Sequence, residues 1–252
     1  MLHGSGVGTI MAVIAVYSVK GGVGKTTLAS GLAWCSATLS GQATLLWDLD
    51  PQGGAGFLFN IDSTSHGEAA GIFSREVDPG SLVWTTGYEQ LDLLPADSSM
   101  WGLDARFERA GRRRLADLTE TLAKEYARII LDCPPGLSES SAQVLRAADL
   151  VVVPLPPSPL SRRALEALRA DLARNHTHPP ALLPVLSMVD GRRRLHRDAR
   201  EELSGWPVIP MSSQIEQMAV RREPVGNFAG SGEPAAAFAR LWDTVEQRLR
   251  EG

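Results

Sequence analysis

Apolar residues in this chain fall into short runs separated by longer, mixed stretches. Val13–Val16, Ala43–Trp47, Leu82–Trp84, Leu91–Leu94, Ala127–Asp132, Asp149–Pro154, Leu182–Val189 and Val208–Pro210 are short and largely apolar, with Met11 at the start of the first. Runs of this length, rich in Val, Ile and Leu, predict strands buried on both faces of a parallel sheet. Between them the period changes to that of a helix. Leu28, Leu32 and Trp34 form one stripe, and Leu115, Leu118 and Leu122 a second behind Arg112, Arg113 and Arg114. Leu165, Leu168 and Leu172 form a third, with Ser161 as N-cap. Gln214–Arg222 follows, and Pro234–Arg250 carries Phe238, Leu241, Trp242, Val245 and Leu249 on one face. Strands alternating with helices predict an α/β fold. The arginine triplet reads as a solvated helix face.

The first strand leads into chemistry. Lys20-Gly21-Gly22-Val23-Gly24-Lys25-Thr26-Thr27 places a glycine-rich turn between strand and helix start. Glycines let backbone N–H groups approach phosphate oxygens, and the helix N-terminus adds the positive end of its dipole. In such a loop Lys25 reaches the β- and γ-phosphates and the Thr26 hydroxyl ligates Mg²⁺. The ordinary phosphate-loop pattern asks for glycine at position 19, which is Val19, and offers no second lysine.

This KGGVGKTT box is a deviant Walker A motif, and through it the chain resembles the ParA/MinD family of ATPases. The likeness extends from Met11 across nearly the whole chain. It implies a doubly wound, mostly parallel sheet flanked by helices, the deviant P-loop NTPase fold, with ATP and Mg²⁺ as cofactors. It also implies that Lys20 crosses a dimer interface to the partner's nucleotide, so that Lys20 and Lys25 both serve catalysis. Asp48-Leu49-Asp50-Pro51-Gln52 resembles the family's first switch segment. There Asp50 orients or deprotonates the attacking water, and Asp48 lies near the Mg²⁺ shell. The bland alternative is that the two carboxylates cap the next helix. Asp132-Cys133-Pro134-Pro135-Gly136 is a Walker B strand end that presents Asp132 to the Mg²⁺ water shell, followed by a second switch loop. Cys133 reads as a small buried filler. Met188 and Asp190 are placed near the adenine by the same resemblance, as is Pro210.

Composition narrows the setting. The 252 residues suit one domain over residues 11–252, with residues 1–10 as an N-terminal extension lacking fixed structure and the marks of a signal peptide. That leaves no room for a helix-turn-helix ahead of the P-loop. Cys35 and Cys133 are too far apart to suggest a disulfide framework or a CxxC site, so a cytoplasmic location is expected and a bridging iron–sulfur cluster is excluded. His176 and His178 lack a third ligand nearby. Net charge is −4, so nucleic acid must be met by a local basic patch.

The ParA branch implies non-specific contact with double-stranded DNA on the nucleoid, and Arg192, Arg193, Arg194, Arg197, Arg221 and Arg222 are the candidates. Pairing with Glu201, Glu202 and Glu223 is the alternative. Met211-Ser212-Ser213 stands where the family often carries arginine. The resemblance further implies an ATP-bound homodimer and a ParB-like or cargo-adaptor protein that stimulates hydrolysis. A MinD-like membrane switch would end in a basic amphipathic helix. Here Arg240, Arg248 and Arg250 are mixed with Asp243, Glu246 and Glu251, and the apolar stripe is expected to dock on the core, so no membrane partner is expected. An accessory ATPase of a secretion complex is the remaining alternative.

Overall fold

The computed structural model describes residues 11–61 and 68–251; the extension expected at 1–10 lies outside them. Eight strands form one sheet in the order β3-β4-β2-β5-β1-β6-β7-β8. These are β1 (Ala12–Val16), β2 (Thr44–Asp48), β3 (Trp84–Thr85), β4 (Leu91–Leu94), β5 (Arg128–Asp132), β6 (Leu150–Leu155), β7 (Ala181–Val189) and β8 (Val208–Pro210). All pairings are parallel except β3 with β4.

Alternation along the central strands feeds two cores. Val13, Ala15, Leu45, Trp47, Ile129 and Leu131 point to one face. Ile14, Val16, Leu46, Ile130 and Val152 point to the other. Strands apolar on both sides need helices on both sides. The first face is covered by α3 (Gly71–Ser74), α4 (Leu103–Ala110), α5 (Arg114–Leu122), α6 (Glu139–Ala147) and α7 (Pro159–Asn175). The second is covered by α1 (Lys25–Trp34), α2 (Gly54–Leu58), α9 (Ser213–Arg221), α10 (Val225–Phe228) and α11 (Glu233–Glu251). The remaining helix, α8 (Arg194–Glu202), follows β7. Helix α1 continues into a π turn over Cys35–Leu39. In α11 the stripe of Phe238, Leu241, Trp242 and Val245 is buried, with Leu249 partly so. At roughly 1.5–3 kcal/mol for each large buried side chain, docking of this helix on the sheet is strongly favoured.

Several local expectations are corrected. Strand β1 starts at Ala12 rather than Met11. The run at Leu82 ends a 3₁₀ turn, Pro79–Leu82, which Pro79 opens, and only Trp84 and Thr85 extend as an antiparallel edge. Helix α7 is capped by Ser158, whose hydroxyl accepts the Ser161 N–H, because Pro159 occupies the first turn. Helix α5 starts at Arg114, and the arginine triplet is not uniformly solvated. Arg113 faces Asp117 and Glu120, whereas Arg114 donates to the carbonyls of Ile72 and Phe73 at the end of α3.

Candidate functional site

Strand β1 lies between β5 and β6, so the loop after it leaves from the middle of the sheet. Open α/β sheets bind ligands at such carboxyl-end crevices. Gly22 and Gly24 have φ of 69° and 89°, a backbone that side chains resist. A Cβ on Gly21 or Gly22 would meet nothing within 4 Å, so this part of the loop faces open space. Gly24 caps α1 with no side-chain acceptor, and the first turn carries no acid. A helix start left this way suits an anion. Lys25 is nearly buried and donates from Nζ to the Lys20 carbonyl at 3.3 Å. Val23 is buried in the loop and Lys20 is half-buried.

Beside it, parallel register sets Asp48 of β2 opposite Asp132 of β5. Both are fully buried. Asp48 accepts the N–H groups of Asp50 and Ala55, each at 2.9 Å, so it also holds the first turn of α2. Burial nevertheless pushes its carboxyl up to about 7. Among the described residues neither oxygen of Asp132 has a well-formed hydrogen bond, and the Thr26 hydroxyl is the side-chain donor that faces it. Burial first, and then the Asp48 charge, drive this carboxyl well above the ordinary range, offset in part by the Thr26 hydroxyl and Lys25. Two buried carboxylates with so little compensation form a site short of positive charge. Among the described residues no group of three or more His, Cys, Asp or Glu side chains could cage a metal directly. The donor set therefore fits an ion held by the Thr26 hydroxyl, phosphate oxygens and water, with the aspartates behind the water, as Mg²⁺ prefers. A Cβ on Gly54 would come within 3.0 Å of the Thr26 side chain, so α2 packs directly against it.

Asp50 sits just past the strand, half-buried, with Oδ1 accepting the Gln52 N–H at 3.0 Å. Its charge raises both Asp48 and Asp132, so the three carboxylates share one locality. It does not cap α2, whose N-cap is Gly53. Cys133 is buried, its thiol raised mainly by that burial, as a filler should be.

The expected adenine residues divide. Met188 has φ 55° at an irregularity between Leu186 and Val189, and its Cε lies 3.7 Å from where a Cβ on Gly24 would stand. It therefore packs near the phosphate loop. Pro210 pairs in register with Val189. Asp190 is engaged elsewhere: the Arg192 guanidinium and backbone N–H bind it and hold its carboxyl down to about 2.

The six arginines form two sets with separate contacts. Arg192 lies on Asp190, Arg194 on Asp198, and Arg197 donates to the carbonyls of Gly191 and Arg192. Arg193 is exposed at the start of α8. Arg221 stacks over Phe228, and Arg222 lies over Phe57 while donating to Asn60. Of the alternative partners, Glu202 binds Arg162 and Glu223 accepts from Asn227.

Sequence reasoning passed over Tyr17 and Ser141. Both donate to the Gly136 carbonyl, and Gly136 N–H donates to Val19. Two hydroxyls far apart in sequence leave no periodic signal.

Residues 11–179 match the family described as AAA domain. The chromosome-partitioning ATPase Soj of Thermus thermophilus is 32% identical over 250 residues, covering 94% of this chain and 96% of that one. The chromosome partitioning protein ParA of Myxococcus xanthus is 32% identical over 205 residues, covering 79% of this chain and 72% of the relative. Among solved structures, the septum site-determining protein MinD of Pyrococcus horikoshii, complexed with Mg-ADP, is similar in fold. Its TM-score is 0.77 at 22% identity, covering 95% of this chain and 98% of that one.

Proposed function

The chain belongs to the ParA/MinD-type P-loop ATPases, which hydrolyse ATP, and from that premise we propose a partition or positioning switch. With ATP and Mg²⁺ bound, two copies close face to face, and the dimer binds double-stranded DNA without reading its sequence. A ParB-like or cargo-adaptor protein then stimulates hydrolysis, and the dimer dissolves. The cargo is a chromosome, a plasmid or a protein body.

One observation supports this most. Lys20 and Lys25 share a single loop, with Lys25 reaching back only to the Lys20 carbonyl. The Lys20 ammonium has no ion pair among the described residues. In this proposal one cation is kept inside its own site and the other is given to a neighbour's nucleotide.

The reaction is phosphoryl transfer to water, in which positioning and charge stabilisation dominate. Lys25 exchanges its carbonyl partner for phosphate oxygens, and the first-turn amides of α1 bind the rest. Thr26, Asp48 and Asp132 would hold Mg²⁺, whose positive charge neutralises the phosphates. Asp50, on the exposed side of the aspartate group, orients the water. The α11 stripe is buried against the core and is not free to lie on a membrane surface, and no helix among the described residues is long and apolar enough to cross a membrane.

The test is co-sedimentation with random-sequence duplex DNA. Retention with ATP and Mg²⁺, lost with ADP, is expected. Equal retention with both nucleotides would contradict the cycle.

A further inference from the structure

The second switch loop leaves β5 at Asp132, and after Cys133 come two prolines that offer no N–H. Gly136 is the first residue after them that can bond through both its N–H and its carbonyl. Its N–H donates to the Val19 carbonyl at 3.2 Å, inside the phosphate loop. Its carbonyl accepts two hydroxyls, Tyr17 at 2.8 Å and Ser141 at 2.9 Å. A φ of 112° aims that carbonyl inward, a conformation open to glycine.

The two donors come from different elements. Tyr17 follows β1 directly, is fully buried, and is anchored by its own N–H to Val152 at 3.0 Å. Ser141 lies in the first turn of α6, itself buried. The residue after Gly136, Leu137, is 65% exposed. A pivot held by two buried donors therefore adjoins an exposed tip.

We propose that the Tyr17 hydroxyl, with Ser141, latches Gly136 and so sets the second switch loop against the phosphate loop. Tyr17 is a positioning residue: its hydroxyl acts through Gly136 on the segment that begins with Asp132. This deepens the ATPase reading and rests on it for its effect on turnover. A displacement of the phosphate loop is carried by two hydrogen bonds, one given by the Gly136 N–H to the Val19 carbonyl and one given by the Tyr17 hydroxyl to the Gly136 carbonyl, into the two peptide units that flank the Gly136 Cα.

The test uses the full chain with Tyr17→Phe, which keeps the ring in the core and removes the donor. In nucleotide-free protein, hydrogen exchange at Gly136 and Leu137 should accelerate about 10-fold, as loss of roughly one buried hydrogen bond implies. Exchange in β1 and β5 should stay as it was. With ATP and Mg²⁺, kcat should fall about 5- to 10-fold while KM stays within about twofold. Ser141→Ala should act in the same direction and serves if the phenylalanine variant fails to fold. The double variant should lose less than the product of the two, because both donors share one acceptor. Unchanged exchange at Gly136, or kcat and KM shifting together with a lowered melting temperature, would overturn the latch. Faster local exchange in a protein that never hydrolyses ATP would uphold the contact and reject the ATPase reading instead.

Discussion

Asp48 and Asp132 stand opposite each other at the ends of neighbouring parallel strands, both excluded from water. Bringing two carboxyls together in a low-dielectric crevice is unfavourable unless they are protonated or a cation is present. The pair is therefore a receptor for charge, and the stability of the protein should report on it.

The first prediction concerns pH. The Asp48 carboxyl titrates near 3.8 when unfolded and near 7 when folded, and Asp132 is raised in the same direction. Between those limits the folded state holds the extra proton, so stability falls as pH rises from about 4 to 7. The slope is at most about 1.4 kcal/mol per pH unit per group. Urea unfolding of nucleotide-free protein in chelator should show the decline. Asp132→Asn should flatten it and raise stability at pH 8, while abolishing the response to Mg²⁺ with nucleotide. A curve that rises over this interval would refute the charge-deficient pair.

A second prediction concerns the ion pair between β5 and α11. Arg128 binds Glu246 through two bonds, Nε to Oε1 at 2.9 Å and Nη2 to Oε2 at 3.1 Å, with side chains only 5% and 14% exposed. Removing Glu246 takes away the carboxylate that meets two nitrogens of this buried guanidinium, and breaking a buried pair costs roughly 3–5 kcal/mol. Glu246→Leu should cost about 3 kcal/mol in denaturant unfolding, far more than breaking the exposed pair Arg113–Glu120. Equal effects would show that the α11 contact is peripheral.

The third concerns the same interface by shape. A Cβ on Gly31 would lie 2.3 Å from the Phe238 ring. Gly→Ala inside a helix ordinarily stabilises by up to about 1 kcal/mol, yet overpacking costs about 1–3. Gly31→Ala should therefore destabilise, and adding Phe238→Leu should restore most of the loss. Failure of that rescue would mean α11 is not seated on α1 as described.

Much of this was legible in the sequence, for identifiable reasons. Buried parallel strands advertise themselves as apolar runs, and the phosphate loop is local, so β1, β2, β5 and β6 and the Lys20–Thr27 turn stand where the residues imply. Short elements were not legible. Helices α2 and α3 have too few residues for a period, and the amphipathic α4 and α6 were overlooked although Asp104 and Ser138 mark their starts. Long-range polar contacts leave no local trace. Nothing local singles out Tyr17, and Arg114 reads as one more surface charge, because their partners lie over a hundred and about forty residues away.

The fourth prediction concerns DNA. Arg193 and Arg197 lie at the start of α8, outside the Lys20–Thr27 loop. Replacing both with Glu should abolish retention on duplex DNA while leaving ATP binding intact. In the wild type each phosphate neutralised should add about −0.9 to the log–log slope of affinity against salt. Retention that survives the double substitution would move the contact to Arg221 and Arg222.

The most direct measurement is sedimentation velocity with ATP and Mg²⁺ on Asp50→Ala, a variant expected to bind but not cleave, with and without Lys20→Ala. The account predicts a dimer for Asp50→Ala alone. With Lys20→Ala added it predicts a monomer that still binds nucleotide within a few-fold. A dimer that persists without the Lys20 ammonium would contradict the proposal that each subunit lends a cation to the other.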